Sequence, residues 1–146
     1  MLQSVSASMM LLGHEKAVTA VQVAPRTLYT PTTVYTSSAD ATIRIWDAES
    51  AVCKFVLVGH FDCINDLQLK SIRGSSKKES QKVLFSSSLD FCIRTWDATN
   101  GIPLQVFEVG GVSPKFLVRE NRLYVAIHNV VSVWNIKVHR GGALGQ

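Results

Sequence analysis

Long hydrophobic runs are missing from this chain. The apolar block nearest its start is only Met9-Met10-Leu11-Leu12, and no run approaches the ~18 residues that a membrane-crossing helix needs. Residues 1–12 contain no Lys or Arg, so the basic leader of a secretory signal is lacking. Cysteine is scarce and odd in number: Cys53, Cys63 and Cys92 show no Cys-x-x-Cys spacing. That argues against a disulfide framework or a zinc site and favours buried free thiols in a reducing compartment. There is no Asn-x-Ser/Thr acceptor either, so an intracellular location, cytoplasmic or nuclear, is expected, with no membrane partner. Gly-x-Ser-x-Gly, His-Glu-x-x-His and the phosphate-binding loop are all absent, leaving no catalytic signature. His128 and His139 find no partner at ligand spacing. No enzyme activity, metal or cofactor is expected.

What is present is a globular composition. Hydrophobic residues make up 47% and charged ones 18% of 146 residues, enough to bury a core. The net charge of +4 is concentrated in one segment, where Lys70, Arg73, Lys77, Lys78 and Lys82 stand against Glu79. With Gly74-Ser75-Ser76 inside it, the segment reads as a solvated loop. The alternative is a basic loop for nucleic acid or an acidic partner. Nucleic acid would call for interleaved aromatics, which this segment lacks, so nucleic acid is not an expected partner.

The chain repeats itself. Ser38-Ala39-Asp40-Ala41-Thr42-Ile43-Arg44-Ile45-Trp46-Asp47 returns as Ser88-Leu89-Asp90-Phe91-Cys92-Ile93-Arg94-Thr95-Trp96-Asp97, and each copy follows a Gly-His pair, Gly13-His14 or Gly59-His60. Self-similarity at this spacing marks supersecondary units that bury their faces against neighbours. Val18, Val21 and Val23 lie at the same offsets past His14 as Ile64, Leu67 and Leu69 past His60, and their alternation predicts a half-buried strand. Further strands are predicted at Val34–Thr36 and Val83–Ser86, before each Trp, and at Val52–Val58 and Pro103–Val109. The span from His to turn Asp is longer in the second copy, which places the extra residues in the connection between its first two strands. A third copy is eroded. Gly110-Gly111 replaces Gly-His, Val130-Val131-Ser132-Val133-Trp134-Asn135 replaces the Trp-Asp strand, and His128 stands where the turn Asp is expected.

Gly-His, a Ser-x-Asp turn and a closing Trp-Asp resemble the WD40 repeat of β-propellers. The resemblance implies an all-β fold: a partial WD40 β-propeller of about three blades of four-stranded antiparallel sheet, the third incomplete. The repeats would run over about 5–47, 51–97 and 103–136 as one WD40 region, with 137–146 as a C-terminal tail and an outer strand near Val5–Leu12. It also implies two structural tetrads, His14, Thr36, Asp40 and Trp46 in the first copy and His60, Ser86, Asp90 and Trp96 in the second. Each would join indole, hydroxyl, imidazole and carboxylate in one buried relay. The third copy lacks the His and Asp to build one.

The function the resemblance implies is a non-enzymatic protein–protein interaction scaffold or adaptor, as a fragment or truncated form of a larger propeller. Ala17, Thr19, Ala39, Cys63, Asn65 and Leu89 would be the candidate partner face, at the end of the blades that carries the Gly-His and Asp turns. None of the six is Trp, Tyr or Arg, the usual anchors of binding energy. Three blades leave two apolar faces uncovered. These would be covered by further blades of a longer chain, by a WD40 partner in trans, or by a homodimer. A purely structural half-propeller completed by another chain is the remaining alternative.

Overall fold

In the computed structural model, residues 8–74, 80–111 and 114–137 are described. They form eleven strands and no helix, arranged as three antiparallel sheets. The first sheet contains β1 (Val18–Ala24), β2 (Thr33–Ser38), β3 (Thr42–Asp47) and β4 (Val52–Val58). The second contains β5 (Ile64–Arg73), β6 (Ser80–Ser88), β7 (Cys92–Asp97) and β8 (Pro103–Glu108). The third has only β9 (Lys115–Arg119), β10 (Arg122–Ile127) and β11 (Val130–Asn135). Within each sheet the strands follow chain order as an up-and-down meander.

Local chemistry sets the turns. Asp40 and Asp90 each cap the turn before β3 or β7, where Oδ1 accepts the backbone N–H of Thr42 (2.9 Å) or Cys92 (3.0 Å). This is the bond by which Asp favours turns. The Asp that follows each Trp shapes the next turn in the same way. Asp47 Oδ1 accepts the N–H groups of Glu49 and Ser50, and Asp97 Oδ1 those of Thr99 and Asn100. Those amides help hold the Asp47 carboxyl below its ordinary range, with the Lys54 ammonium adding to the effect.

The middle sheet is covered on both faces. Val83 to Ser88 of β6 are buried without a break, and their side chains alternate between two cores. Leu84, Trp96, Ile64 and Leu67 join Tyr35, Ile43, Ile45 and Leu57 of the first sheet in one core. Val83, Phe85, Ile93 and Phe107 join Phe116, Val118, Leu123 and Val125 of the third sheet in the other. Hydrogen bonds cross both contacts: the Tyr35 hydroxyl donates to the Ala98 carbonyl at 3.0 Å, and the Gln68 amide to the Phe116 carbonyl at 2.8 Å. Burial, and to a lesser degree the Asp97 charge, pushes the Tyr35 hydroxyl above its ordinary pKa.

Several sequence expectations are corrected here. The segment 70–82 is not wholly loop. Lys70 and Arg73 belong to β5 and Lys82 to β6, and the ladder runs through Ser71↔Lys82, Ile72↔Gln81 and Arg73↔Ser80. The extra residues of the second copy thus lengthen a hairpin, because Ile72 has an apolar site to fill in the second core. Lys77 and Lys78 lie outside the described residues. The expected outer strand near Val5–Leu12 is not formed by Ser8–Leu12; an isolated segment has no neighbour to pair its backbone with. The three cysteines are free but half-buried rather than buried. The expected tail lies outside the described residues beyond Lys137.

Ile93 is fully buried between the second and third sheets. Ile93→Ala is expected to cost about 2–5 kcal/mol, whereas Val106→Ala, on the exposed outer strand of the same sheet, should stay within about 0.5 kcal/mol. Equilibrium denaturation of the two variants would measure the difference.

Candidate functional site

Each of the first two repeats brings four distant side chains into one relay. In the first, Trp46 Nε1–H donates to Thr36 Oγ1 (2.8 Å), Thr36 Oγ1 lies 2.7 Å from His14 Nε2, and His14 Nδ1 lies 2.9 Å from Asp40 Oδ2. In the second, Trp96 Nε1–H donates to Ser86 Oγ (2.9 Å), Ser86 Oγ is 2.8 Å from His60 Nε2, and His60 Nδ1 is 2.7 Å from Asp90 Oδ2. A carboxylate can only accept, so Nδ1 carries the proton; the neutral ring then accepts the hydroxyl proton at Nε2. All four members are thereby satisfied inside the protein, and the His ring lies about 6 Å from the indole in both copies, edge-on in the first and tilted in the second.

The Gly of each Gly-His pair has a steric cause. A Cβ on Gly59 would stand 2.9 Å from Trp96 Cη2, and one on Gly13 3.1 Å from Trp46 Cη2. Only glycine lets the chain lie flat across the indole and deliver the following His to its partners.

Charge follows from this geometry. Burial pushes the His60 imidazolium down more than the Asp90 carboxylate raises it, so its pKa lies below the ordinary value. Burial also works against the Asp90 and Asp40 carboxylates, but hydrogen bonds outweigh it and both titrate below their ordinary range. Asp90 accepts from His60 and from the N–H groups of Phe61 and Cys92. Asp40 accepts from His14, the N–H groups of Glu15 and Thr42, and the Thr42 hydroxyl. Cys92 replaces Thr42 in the second copy and supplies no such hydroxyl. Its thiol is itself pushed up by burial and by the neighbouring Asp90 and Glu108 charges, against the pull of Arg94.

The third copy solves the same problem differently. Trp134 Nε1–H donates to Ser132 Oγ, two residues back on its own strand, at 2.9 Å, and the ring packs edge-on against Phe107 at 5.8 Å. His128 sits exposed in the turn with φ +53°. Among the described residues, no three His, Cys, Asp or Glu side chains converge as metal ligands, and no helix is long and apolar enough to cross a membrane.

The six residues of the candidate partner face fall at one end of the first two sheets. The Ala39 N–H donates to the Ala17 carbonyl (2.9 Å) and the Leu89 N–H to the Cys63 carbonyl (3.0 Å). Thr19 Oγ1 lies 2.9 Å from Ser37 Oγ. Thr19 and Asn65 occupy the irregular register positions of β1 and β5. Two larger side chains at this end escaped the sequence reading. Phe61 is 87% exposed and Phe91 50% exposed, and they flank the Asp90 carboxylate: Phe61 donates its N–H to Oδ2 at 3.0 Å, and Phe91 is the next residue in the chain. The Arg94 guanidinium lies 5.8 Å from the Phe61 ring centre, within cation–π range. Phe91 has φ +68°, a left-handed conformation that is costly for a bulky residue. The available signal was positional: Phe61 follows the Gly-His pair and Phe91 follows the turn Asp.

At the opposite end, Arg73 of the lengthened hairpin and Arg122 of the third sheet line a cleft of about 740 Å³, together with Ser71, Glu120, Asn121 and Asn135. Asn121 Nδ2 donates to the Arg73 carbonyl at 2.9 Å and ties the two sheets there.

Comparison with known proteins agrees with this architecture. The model of the WD domain, G-beta repeat family matches residues 6–47. The chain is therefore a WD40-repeat chain, and its three sheets are blades of a partial β-propeller. It is 35% identical to apoptotic protease-activating factor 1 of Danio rerio over 102 residues, which are 70% of this chain and 7% of that protein. It is 30% identical to WD repeat-containing protein pop2 of Schizosaccharomyces pombe over 92 residues, 59% of this chain and 12% of that protein. The chain thus spans about a tenth of the length of these curated relatives.

Asp90→Ala would leave the buried His60 ring and the Phe61 and Cys92 amides without their acceptor, at a cost of about 1–3 kcal/mol for each group left unsatisfied. The lowered His60 value means that, as pH falls through about 6.5, the unfolded chain takes up a proton before the folded one does. Stability that is complete above that pH is then lost on acidification. The lowered Asp40 and Asp90 values act in the same direction from about pH 4 downward. Denaturation curves should show stability falling from pH 7 to 3, and His60→Gln should flatten the upper part of the fall while leaving the lower part.

Proposed function

We propose that this chain is a non-enzymatic protein–protein interaction scaffold, in which relay-braced blades present the turn end to a protein partner. WD40 repeats generally serve as protein-binding scaffolds and are typically not enzymes. The observation that carries the proposal is Phe61 with Phe91. Two exposed aromatics beside a buried, fully bonded carboxylate are of little use to the fold, and the left-handed position after the turn Asp, which the first repeat fills with Ala41, holds a bulky residue here at a steric cost. Exposed aromatics on a rigid base supply binding energy at low entropic cost. Ala17, Thr19, Ala39, Cys63, Asn65 and Leu89 form the flat surround of this anchor. The uncovered faces of the first and third blades are to be closed by further blades.

Phe91→Gly is compatible with the positive φ and should leave stability unchanged or raise it by up to about 1 kcal/mol. The double variant Phe61→Ala/Phe91→Gly should then lose proteins captured by the unmodified chain while keeping its melting temperature. Equal capture by both would sink the proposal.

The cleft bordered by Arg73 and Arg122 favours a second reading, an acidic protein partner at the opposite end, with Lys70 and Lys82 extending the basic surface along the same hairpin. Retention on immobilised polyglutamate that is unaltered by Arg73→Glu/Arg122→Glu would eliminate it; the expected result is early elution by salt.

A further inference from the structure

We propose that two copies of this chain close head to tail into one six-bladed ring, each copy's first blade covering the other's third. The three blades make the same contact twice within the chain, and its unused halves lie at the two ends. On the first blade, Val18 and Val21 are 54% and 56% exposed, whereas Ile64 and Leu67 at the same offsets in the second blade are fully buried. On the third blade, Val131 and Val133 are 65% and 55% exposed. Their counterparts, three residues and one residue before the Trp, are Ile43 and Ile45 in the first blade and Ile93 and Thr95 in the second, all buried. Tyr124 completes that row opposite Val133, as Tyr35 does opposite Ile45 and Phe85 opposite Thr95. One end therefore carries the receiving half of an interface already built inside the molecule, and the other end carries the inserting half.

The strand inventory points to the same occupant. The third blade ends at β11, whose far edge has no partner strand among the described residues. At the other end, Ser8–Leu12 pairs with no strand and exposes Met9, Met10 and Leu12. This segment runs directly into Gly13-His14 as β4, the outer strand of the first blade, runs into Gly59-His60. A third blade placed against Val18 and Val21 therefore has Ser8–Leu12 of the other copy beside its open edge. In that register Leu11, two residues before Gly13, faces Val131, just as Leu57, two residues before Gly59, faces Ile43. Among the described residues, one open edge strand and one unpaired segment per chain match each other in a two-copy ring and in no open arrangement of copies. Six blades lie within the ~4–8 over which propellers close.

Light scattering and sedimentation of the full 146-residue chain should show one discrete species of two chains, independent of any captured partner. Val21 and Val133 are exposed in the single chain, so Val21→Asp and Val133→Asp should each dissociate the pair at least tenfold without altering Trp fluorescence. Because each contact joins unlike faces, mixing the two variants leaves one of two interfaces intact and should restore part of the pairing. Met10→Pro with Leu11→Pro, which removes a ladder donor in either strand orientation, should weaken the pair as well. A monodisperse single chain, an open series of larger assemblies, or a pair indifferent to Val133→Asp would each overturn the proposal.

Discussion

The bond between a neutral histidine and a carboxylate, with a hydroxyl and an indole behind it, is the constraint on which the blades depend. It spans 26 residues in the first repeat and 30 in the second, and it pins the segment entering the blade to the turn between two of its inner strands. Other features follow from it. Glycine must precede the histidine to clear the indole, the hydroxyl must be Thr36 or Ser86 on the neighbouring strand, and the carboxylate must come from a turn tight enough to bond its own backbone. The relay is worth little through attraction alone, because each bond replaces one to water. Its force lies in the cost of leaving any one member buried and unpaired.

The third blade shows what is dispensable. Without His and Asp it retains the sheet, the indole and the apolar row facing the middle blade. Its Trp134 has merely turned to a serine on its own strand. The blade is held by Phe116, Val118, Leu123 and Val125 against Phe85, Ile93 and Phe107. Packing between sheets therefore suffices to dock a blade, while the relay fixes how its entering segment is held. That division suits the proposed scaffold role, in which the turn end would stay rigid while the flanking faces pack against further blades.

Much of this was legible in the residues. The Gly-His, Asp and Trp-Asp spacing located the turns, whereas the eight relay members came from the resemblance to the WD40 repeat rather than from the spacing. Val83-Leu84-Phe85-Ser86 was legible as a strand, but the burial of both its faces became visible only in the structure. Less legible was the segment 70–82. Five cations and a Gly-Ser-Ser run obscured the single Ile72 that turns the hairpin into a longer ladder, since one apolar residue sets no period. Nor did the sequence distinguish Phe61 and Phe91 from core aromatics. Exposure depends on which blade stands beside a residue, and alternation within one strand does not carry that information.

The up-and-down order of the strands also bears on how such a chain is made. Every ladder joins strands adjacent in sequence, so each sheet assembles from local contacts, which favours rapid folding for a β protein. The relay runs the other way. Its histidine is the first of the four residues to be synthesised and its tryptophan the last. A nascent repeat can thus pair its inner strands while the entering segment stays loose, and it locks only when the indole arrives. The brace is then a completion signal, closed once in each of the first two repeats and in chain order, so that these two blades are secured one after the other from the N-terminal side.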